Sequence, residues 1–157
     1  MTRSGIGWDS HRLVEGRPLI LGGVSVPDAP LGLEGFSDAD VLTHAVIDAL
    51  LGAGGLGDIG LHFPDSDERW RGADSVELLR AVRGMLGDAG LAPLHIDATV
   101  ICEAPRLSPY RDEMRARLAE AVGLSSAAVN VKFTTAEGMG FLGRGEGVAA
   151  LAVATVS

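Results

Sequence analysis

The chain has 157 residues, 46% hydrophobic and 22% charged, the composition of one globular domain with its own core and not of a disordered segment. Lys and Arg total 13 against 21 Asp and Glu, a formal charge of −8 that argues against nucleic acid or an anionic membrane as partner. A single cysteine, Cys102, excludes an internal disulfide, and the N-terminal MTRSGIGWDSHRLVEG lacks the apolar stretch of a secretion signal, so a cytoplasmic protein is expected.

In chain order, residues 3–12 and 19–26 read as extended, and the turn signal at Gly16 between them suggests a hairpin. Residues 38–52 read as a helix, with Ser37 as N-cap and Asp40 three residues later as in a capping box. Residues 54–72 form a Gly/Asp/Pro loop long enough to suspect a function. A second helix is expected over 74–89, with Val76, Leu79, Val82 and Leu86 on one stripe, and a strand over 94–103. A third helix starts at Ser108 as N-cap with Pro109 at N1, and Gly123 stops it. Residues 129–135 and 147–156 read as closing strands joined by a glycine-dense loop. The longest apolar run, Val148–Val156, is about half a membrane span. This order predicts a single domain over residues 1–157, an α+β (mixed α/β) sandwich with helices on one face of one sheet. The bare face then needs a partner, and the Ala-rich last strand suits close packing against another subunit.

Three stretches carry chemistry. In Asp9-Ser10-His11, strand geometry turns the carboxylate and the imidazole to the same face. On the 38–52 helix, Asp40, His44 and Asp48 recur at i, i+4 and i+8 on an otherwise apolar cylinder, either a solvated stripe or a metal-ligating His flanked by orienting carboxylates. Asp9, His11 and His44 together have the ligand count of a zinc site with an open position. The loop from Gly57 to Asp67 offers aspartates for a cation or for sugar hydroxyls. His62 and His95 read as ordinary solvated histidines. The third stretch runs from Thr134 to Gly147 and contains a formal G-x-G-x-x-G at Gly138, Gly140 and Gly143. An R-G-E-G sequence and a β-like run follow it instead of a helix, which argues against a dinucleotide site. What remains is a backbone anion loop, with Glu137 for a hard cation and Arg144 for a phosphate. Cys102 reads as a packing residue and not as a nucleophile.

The blocks GIGWDSHRL (5–13), SDADVLTHAVIDALLGAGGLGDIGLHFPDSD (37–67), RGADS (71–75), EAPRLSP (103–109) and NVKFTTAEGMGFLGRGEG (130–147) resemble the 2-C-methyl-D-erythritol 2,4-cyclodiphosphate synthase family of the non-mevalonate isoprenoid pathway. The resemblance covers nearly the whole chain. It implies a four-stranded mixed sheet with helices on one face, trimerising through the other, with active sites between neighbours. It implies conversion of 4-diphosphocytidyl-2-C-methyl-D-erythritol 2-phosphate to the cyclic diphosphate plus CMP. Asp9, His11 and His44 would hold one Zn²⁺ per subunit, and Glu137 would help hold Mg²⁺ or Mn²⁺ on the diphosphate. Phe36, Ser37, Asp58, Ile59, Gly60, Phe63, Pro64, Asp65, Ser66 and Asp67 would meet the ribose and erythritol portion of the substrate. Cys102, Glu103, Ala104, Pro105, Arg106, Leu107 and Ser108 would form the cytosine pocket. Thr134, Thr135 and Ala136 would meet the diphosphate, with Thr135 and Glu137 catalytic. Phe141 and Arg144 would face a central cavity that in the family can hold an isoprenoid diphosphate.

Two positions depart from the family pattern: Phe36 stands where a histidine is common, and Arg106 where lysine is favoured. Two other readings remain open at this point, a zinc phosphoesterase that uses water as nucleophile and a weakened trimer that only binds isoprenoid diphosphates.

Overall fold

In the computed structural model, which describes residues 1–157, the helix apolar around most of its circumference becomes the centre of the core. This is α1 (Val41–Gly54), buried along nearly its whole length and ended by Gly55 in the left-handed conformation. It lies across β1 (Arg3–Val14) at very short range. A Cβ on Gly5 or Gly7 would sit 2.1 Å from the Ala49 carbonyl oxygen or 1.9 Å from that of Ala45. Only glycine at these two positions lets the helix approach so closely, and this approach brings His44 within reach of the strand.

Five strands form the main sheet, in the order β4 (Gly32–Leu33), β1, β7 (Gly147–Val156), β5 (Pro93–Ile101), β6 (Val129–Thr134). The β5–β6 pair is parallel and the others antiparallel, so the sheet is mixed as expected. The expected four strands become five because the short segment β4 pairs with the end of β1, through Leu13 with Leu33 and Val14 with Gly32. The hairpin is also different. Residues 19–26 do not pair with β1; they fold on themselves as β2 (Ile20–Leu21) and β3 (Val24–Ser25). Gly22 and Gly23 both have positive φ, which fits a two-residue turn and draws the hairpin away from the sheet.

Helices α1, α3 (Ser75–Asp88) and α4 (Arg111–Val122) cover one face, α1 against β1 and β7, α4 against β6, and α3 against α1 and α4. The caps differ in part from expectation. Asp40, not Ser37, caps α1 and accepts from Thr43 N. Ser108 and Pro109 open a 3₁₀ turn over Ser108–Tyr110, and α4 begins only after it. Gly123 ends α4 in the left-handed conformation, as expected. The 54–72 loop contains one helical turn, α2 (Ile59–His62), and a 3₁₀ turn at Glu68–Trp70, while α5 (Gly140–Gly143) is a single turn within the glycine-rich loop.

The other face of the sheet is bare. Ile6 pairs with Val153 and Trp8 with Leu151, which gathers four exposed apolar side chains into one block. Beyond them on β5 and β6 the same face turns polar, with Lys132 and Asn130 both bonded to Asp97. No helix is long and apolar enough to cross a membrane.

Candidate metal centre and adjoining clefts

Asp9 and His11 leave β1 on the face that α1 covers, and His44 comes down from α1 between them. Asp9 Oδ2 lies 2.8 Å from His11 Nε2 and 3.1 Å from His44 Nδ1, and the two imidazole nitrogens are 3.3 Å apart. The three form a group whose ligand atoms all lie within 4.8 Å of one another.

The outer ring nitrogens settle where the protons are. His11 Nδ1 is 2.7 Å from the Glu34 carbonyl oxygen, which can only accept, so Nδ1 carries the hydrogen. His44 Nε2 is 2.8 Å from Ser75 Oγ, and that hydroxyl donates to Asp38, so Nε2 is the donor to serine. Ser37 Oγ, 3.2 Å away, is a further polar neighbour of Nε2. The inner nitrogens are therefore left with lone pairs, aimed at each other and at a carboxylate. Three acceptors so close together with no proton between them fit a cation, and both histidines are oriented as metal-ligating imidazoles are. Without a cation, a proton competes for the same position. Burial opposes ionisation of Asp9, yet the two imidazoles hold its carboxyl below the usual carboxylate range. Burial likewise disfavours a charged His11, and Asp9 overrides it and raises the imidazole.

The i, i+4, i+8 stripe on α1 splits in three directions. Asp40, fully buried, accepts from Gly22 N (2.8 Å), Gly23 N (2.7 Å), Thr43 N (3.0 Å) and Thr43 Oγ1 (2.7 Å), so it anchors the β2–β3 turn and plays no part at the metal centre. Asp48 accepts from Ile59 N at 2.8 Å and fixes the start of α2. His44 alone faces the centre.

A cleft of about 350 Å³ opens above the triad and brings together Asp9, His11, Phe36, Ser37, His44, Ile59, Gly60, Phe63, Pro64 and Asp65. Trp70 and Leu78 complete it, two residues that the sequence reading missed. Trp70 packs edge-on against Phe63 and its buried Nε1 has no hydrogen-bond partner. Asp58 and Asp67 lie outside this lining and cap the two turns, accepting from Leu61 N and Arg69 N, and Ser66 is exposed between them. His62 donates to the Leu56 carbonyl at 2.7 Å and braces the loop.

A second cleft, of about 310 Å³, is lined by Cys102, Glu103, Pro105, Arg106, Leu107, Ser108, Thr134 and Thr135, joined by Arg111 and Phe133, which the sequence did not single out. Arg111 stacks on Phe133 at 5.2 Å. Ala104 accepts from Cys102 Sγ at 3.2 Å, and Glu103 accepts from Ala136 N at 2.6 Å, tying the 102–108 loop to the glycine-rich loop. On that loop Glu137 has a φ of 54°, strained for a non-glycine residue, and its N–H donates to Thr135 Oγ1 at 3.2 Å. Phe141 borders a third cleft with Ser10 and Arg12, and Arg144 pairs with Glu146 at 2.7 Å.

Burial pushes the Cys102 thiol up to about 11. At pH 8 this leaves roughly 100-fold less thiolate than an ordinary cysteine. Alkylation of the folded protein by iodoacetamide is therefore expected to be about two orders of magnitude slower than in urea. Equal rates would restore Cys102 as a candidate nucleophile.

The two main clefts share no residue. Thr134 points from β6 to the bare face, while Asp9 and His11 point to the helix face of β1, three strand spacings or about 14 Å away.

Residues 2–157 match the YgbB family. A 2-C-methyl-D-erythritol 2,4-cyclodiphosphate synthase from Salinibacter ruber is 60% identical over 154 residues, 98% of each chain. A solved synthase of the same name in a CDP-bound form superposes with a TM-score of 0.90 at 40% identity, over 99% of this chain and 100% of that one. The bifunctional IspDF of Campylobacter jejuni gives 0.95 at 39% identity, over 99% of this chain and 42% of its own length.

Proposed function

The chain belongs to the YgbB family, and we propose that it closes a cyclic diphosphate by metal-assisted phosphoryl transfer within one substrate molecule. The protein is an enzyme of isoprenoid precursor biosynthesis, and its reaction converts 4-diphosphocytidyl-2-C-methyl-D-erythritol 2-phosphate to 2-C-methyl-D-erythritol 2,4-cyclodiphosphate. An oxygen of the 2-phosphate forms a bond to the β-phosphorus. The bond from that phosphorus to the oxygen bridging the α-phosphate breaks, and CMP departs with the bridging oxygen. No protein nucleophile is needed; the protein holds the two ends together and disperses charge.

The observation that carries the mechanism is the convergence of three potential ligand atoms from Asp9, His11 and His44. Zn²⁺ suits this donor set, and when bound it supplies Lewis-acid polarisation of the β-phosphate. Ser37, Ile59, Gly60, Phe63, Pro64 and Asp65 wall the erythritol end, and the cleft from Cys102 to Ser108 takes the cytosine. Thr134, Thr135 and Ala136 orient the diphosphate, where Glu137 is the ligand for Mg²⁺ or Mn²⁺. Purified protein incubated with the substrate and Mg²⁺ is expected to give, by phosphorus NMR, cyclic diphosphate and CMP in equal amounts. CMP accompanied by a linear erythritol bisphosphate, or inorganic phosphate split from the 2-phosphate, would mean that water is the nucleophile and would sink this reading in favour of a phosphoesterase.

The working unit is a homotrimer. The two clefts share no residue and lie three strands apart, so each holds only part of a site within one protomer. A neighbour docked on Ile6, Trp8, Leu151 and Val153 covers apolar surface and brings its own Thr134–Glu137 loop to the metal cleft. A central cavity bordered by Phe141 and Arg144 then suits an isoprenoid diphosphate. Sedimentation is expected to give three times 16.2 kDa. Refolding inactive His44→Ala together with inactive Thr135→Ala is expected to restore part of the activity, because a mixed trimer contains intact sites. A fully active monomer would contradict both expectations.

A further inference from the structure

We propose that Arg71 binds the phosphate on the erythritol end of the substrate, supplying the positive charge that the phenyl ring of Phe36 cannot; this rests on the functional reading above. Among the residues lining the metal cleft, Asp9 and Asp65 are acidic and no lysine or arginine is present, although the substrate brings several negative charges. One cation is built into the rim. Gly72 N donates to the Phe36 carbonyl at 2.8 Å, and Asp38 N donates to the Ala73 carbonyl at 3.1 Å. These two backbone links hold residues 71–73 alongside 36–38. They set the Arg71 guanidinium over the Phe36 ring, 4.6 Å from its centroid, while the same ring lines the cleft. Four residues after Arg71, Ser75 holds His44 Nε2, so the cation and the triad share one short, braced segment.

The guanidinium has capacity to spare. Glu68 takes Nε and Nη2, at 2.6 and 2.8 Å, which leaves Nη1 free. Both partners are largely exposed, and such a pair is weak enough for a phosphate dianion to share or displace. Stacking on an aromatic ring keeps the planar fork oriented without neutralising it. A histidine at position 36 would offer one charge-assisted donor; Phe36 with Arg71 offers a planar platform and a permanent cation.

The test compares wild type, Arg71→Gln, Arg71→Lys and Glu68→Gln in steady-state CMP release, with zinc content and CDP affinity measured alongside. Arg71→Gln is expected to raise KM at least tenfold with kcat within threefold, and to leave zinc and the Kd for CDP, which lacks the erythritol phosphate, unchanged. Arg71→Lys should recover part of the loss, and Glu68→Gln should lower KM by freeing the guanidinium. An unchanged KM in Arg71→Gln, a fall in kcat alone, or CDP binding that weakens in parallel would overturn the assignment. If wild type releases no CMP, the functional reading itself has failed, a result distinct from any of these.

Discussion

His44→Ala is expected to abolish zinc binding, from about one ion per chain to a few per cent, and to reduce CMP release by 10³-fold or more, the scale of losing a principal source of transition-state charge stabilisation. The side chain is one of three converging donors, and the other two both project from one strand, so no neighbour can take its place. The loss should be chemical more than structural, because the core around α1 is otherwise apolar and well packed. Ser75→Ala provides a graded companion. It removes the hydroxyl that accepts from His44 Nε2 and passes the link to Asp38, and zinc affinity is expected to fall 10–100-fold with the triad intact. Metal analysis finding undiminished zinc in His44→Ala would remove the triad as the metal site, whatever happened to activity.

One turn earlier on the same helix, Asp40→Ala should do the opposite: retain zinc in the molecules that remain folded and cost stability. Asp40 is fully buried and accepts four hydrogen bonds, three of them from backbone N–H groups of Gly22, Gly23 and Thr43. Truncation strands those donors and removes the N-cap of α1. Together these cost about 3–5 kcal/mol, or roughly 10–15 °C in Tm for a chain of this size. Asp40→Asn keeps one acceptor oxygen and is expected to lose about half as much. Urea unfolding of Asp40→Ala that comes within 1 kcal/mol of wild type would show that the β2–β3 turn does not depend on this carboxylate.

The contrast between these two residues marks how far local pattern reaches. Alternation along β1 put Asp9 and His11 on one face, and the period of α1 put His44 on the same helical stripe as Asp40 and Asp48; both are properties of a few neighbouring residues and are legible in the sequence. So are the left-handed glycine that ends α4 and the mixed α/β layering. The stripe itself could not be divided by reading, because i, i+4 spacing fixes a direction and not what lies there. The β2–β3 turn meets Asp40, β1 meets His44 and α2 meets Asp48, three different partners set by packing. The same holds for Asp38 with Ser75, joined across 37 positions, and for Arg71 over Phe36. Short-range patterns determined which side chains share a face of each element. Only the tertiary structure decided which faces meet, because those contacts depend on strand pairings and helix approaches formed between distant parts of the chain.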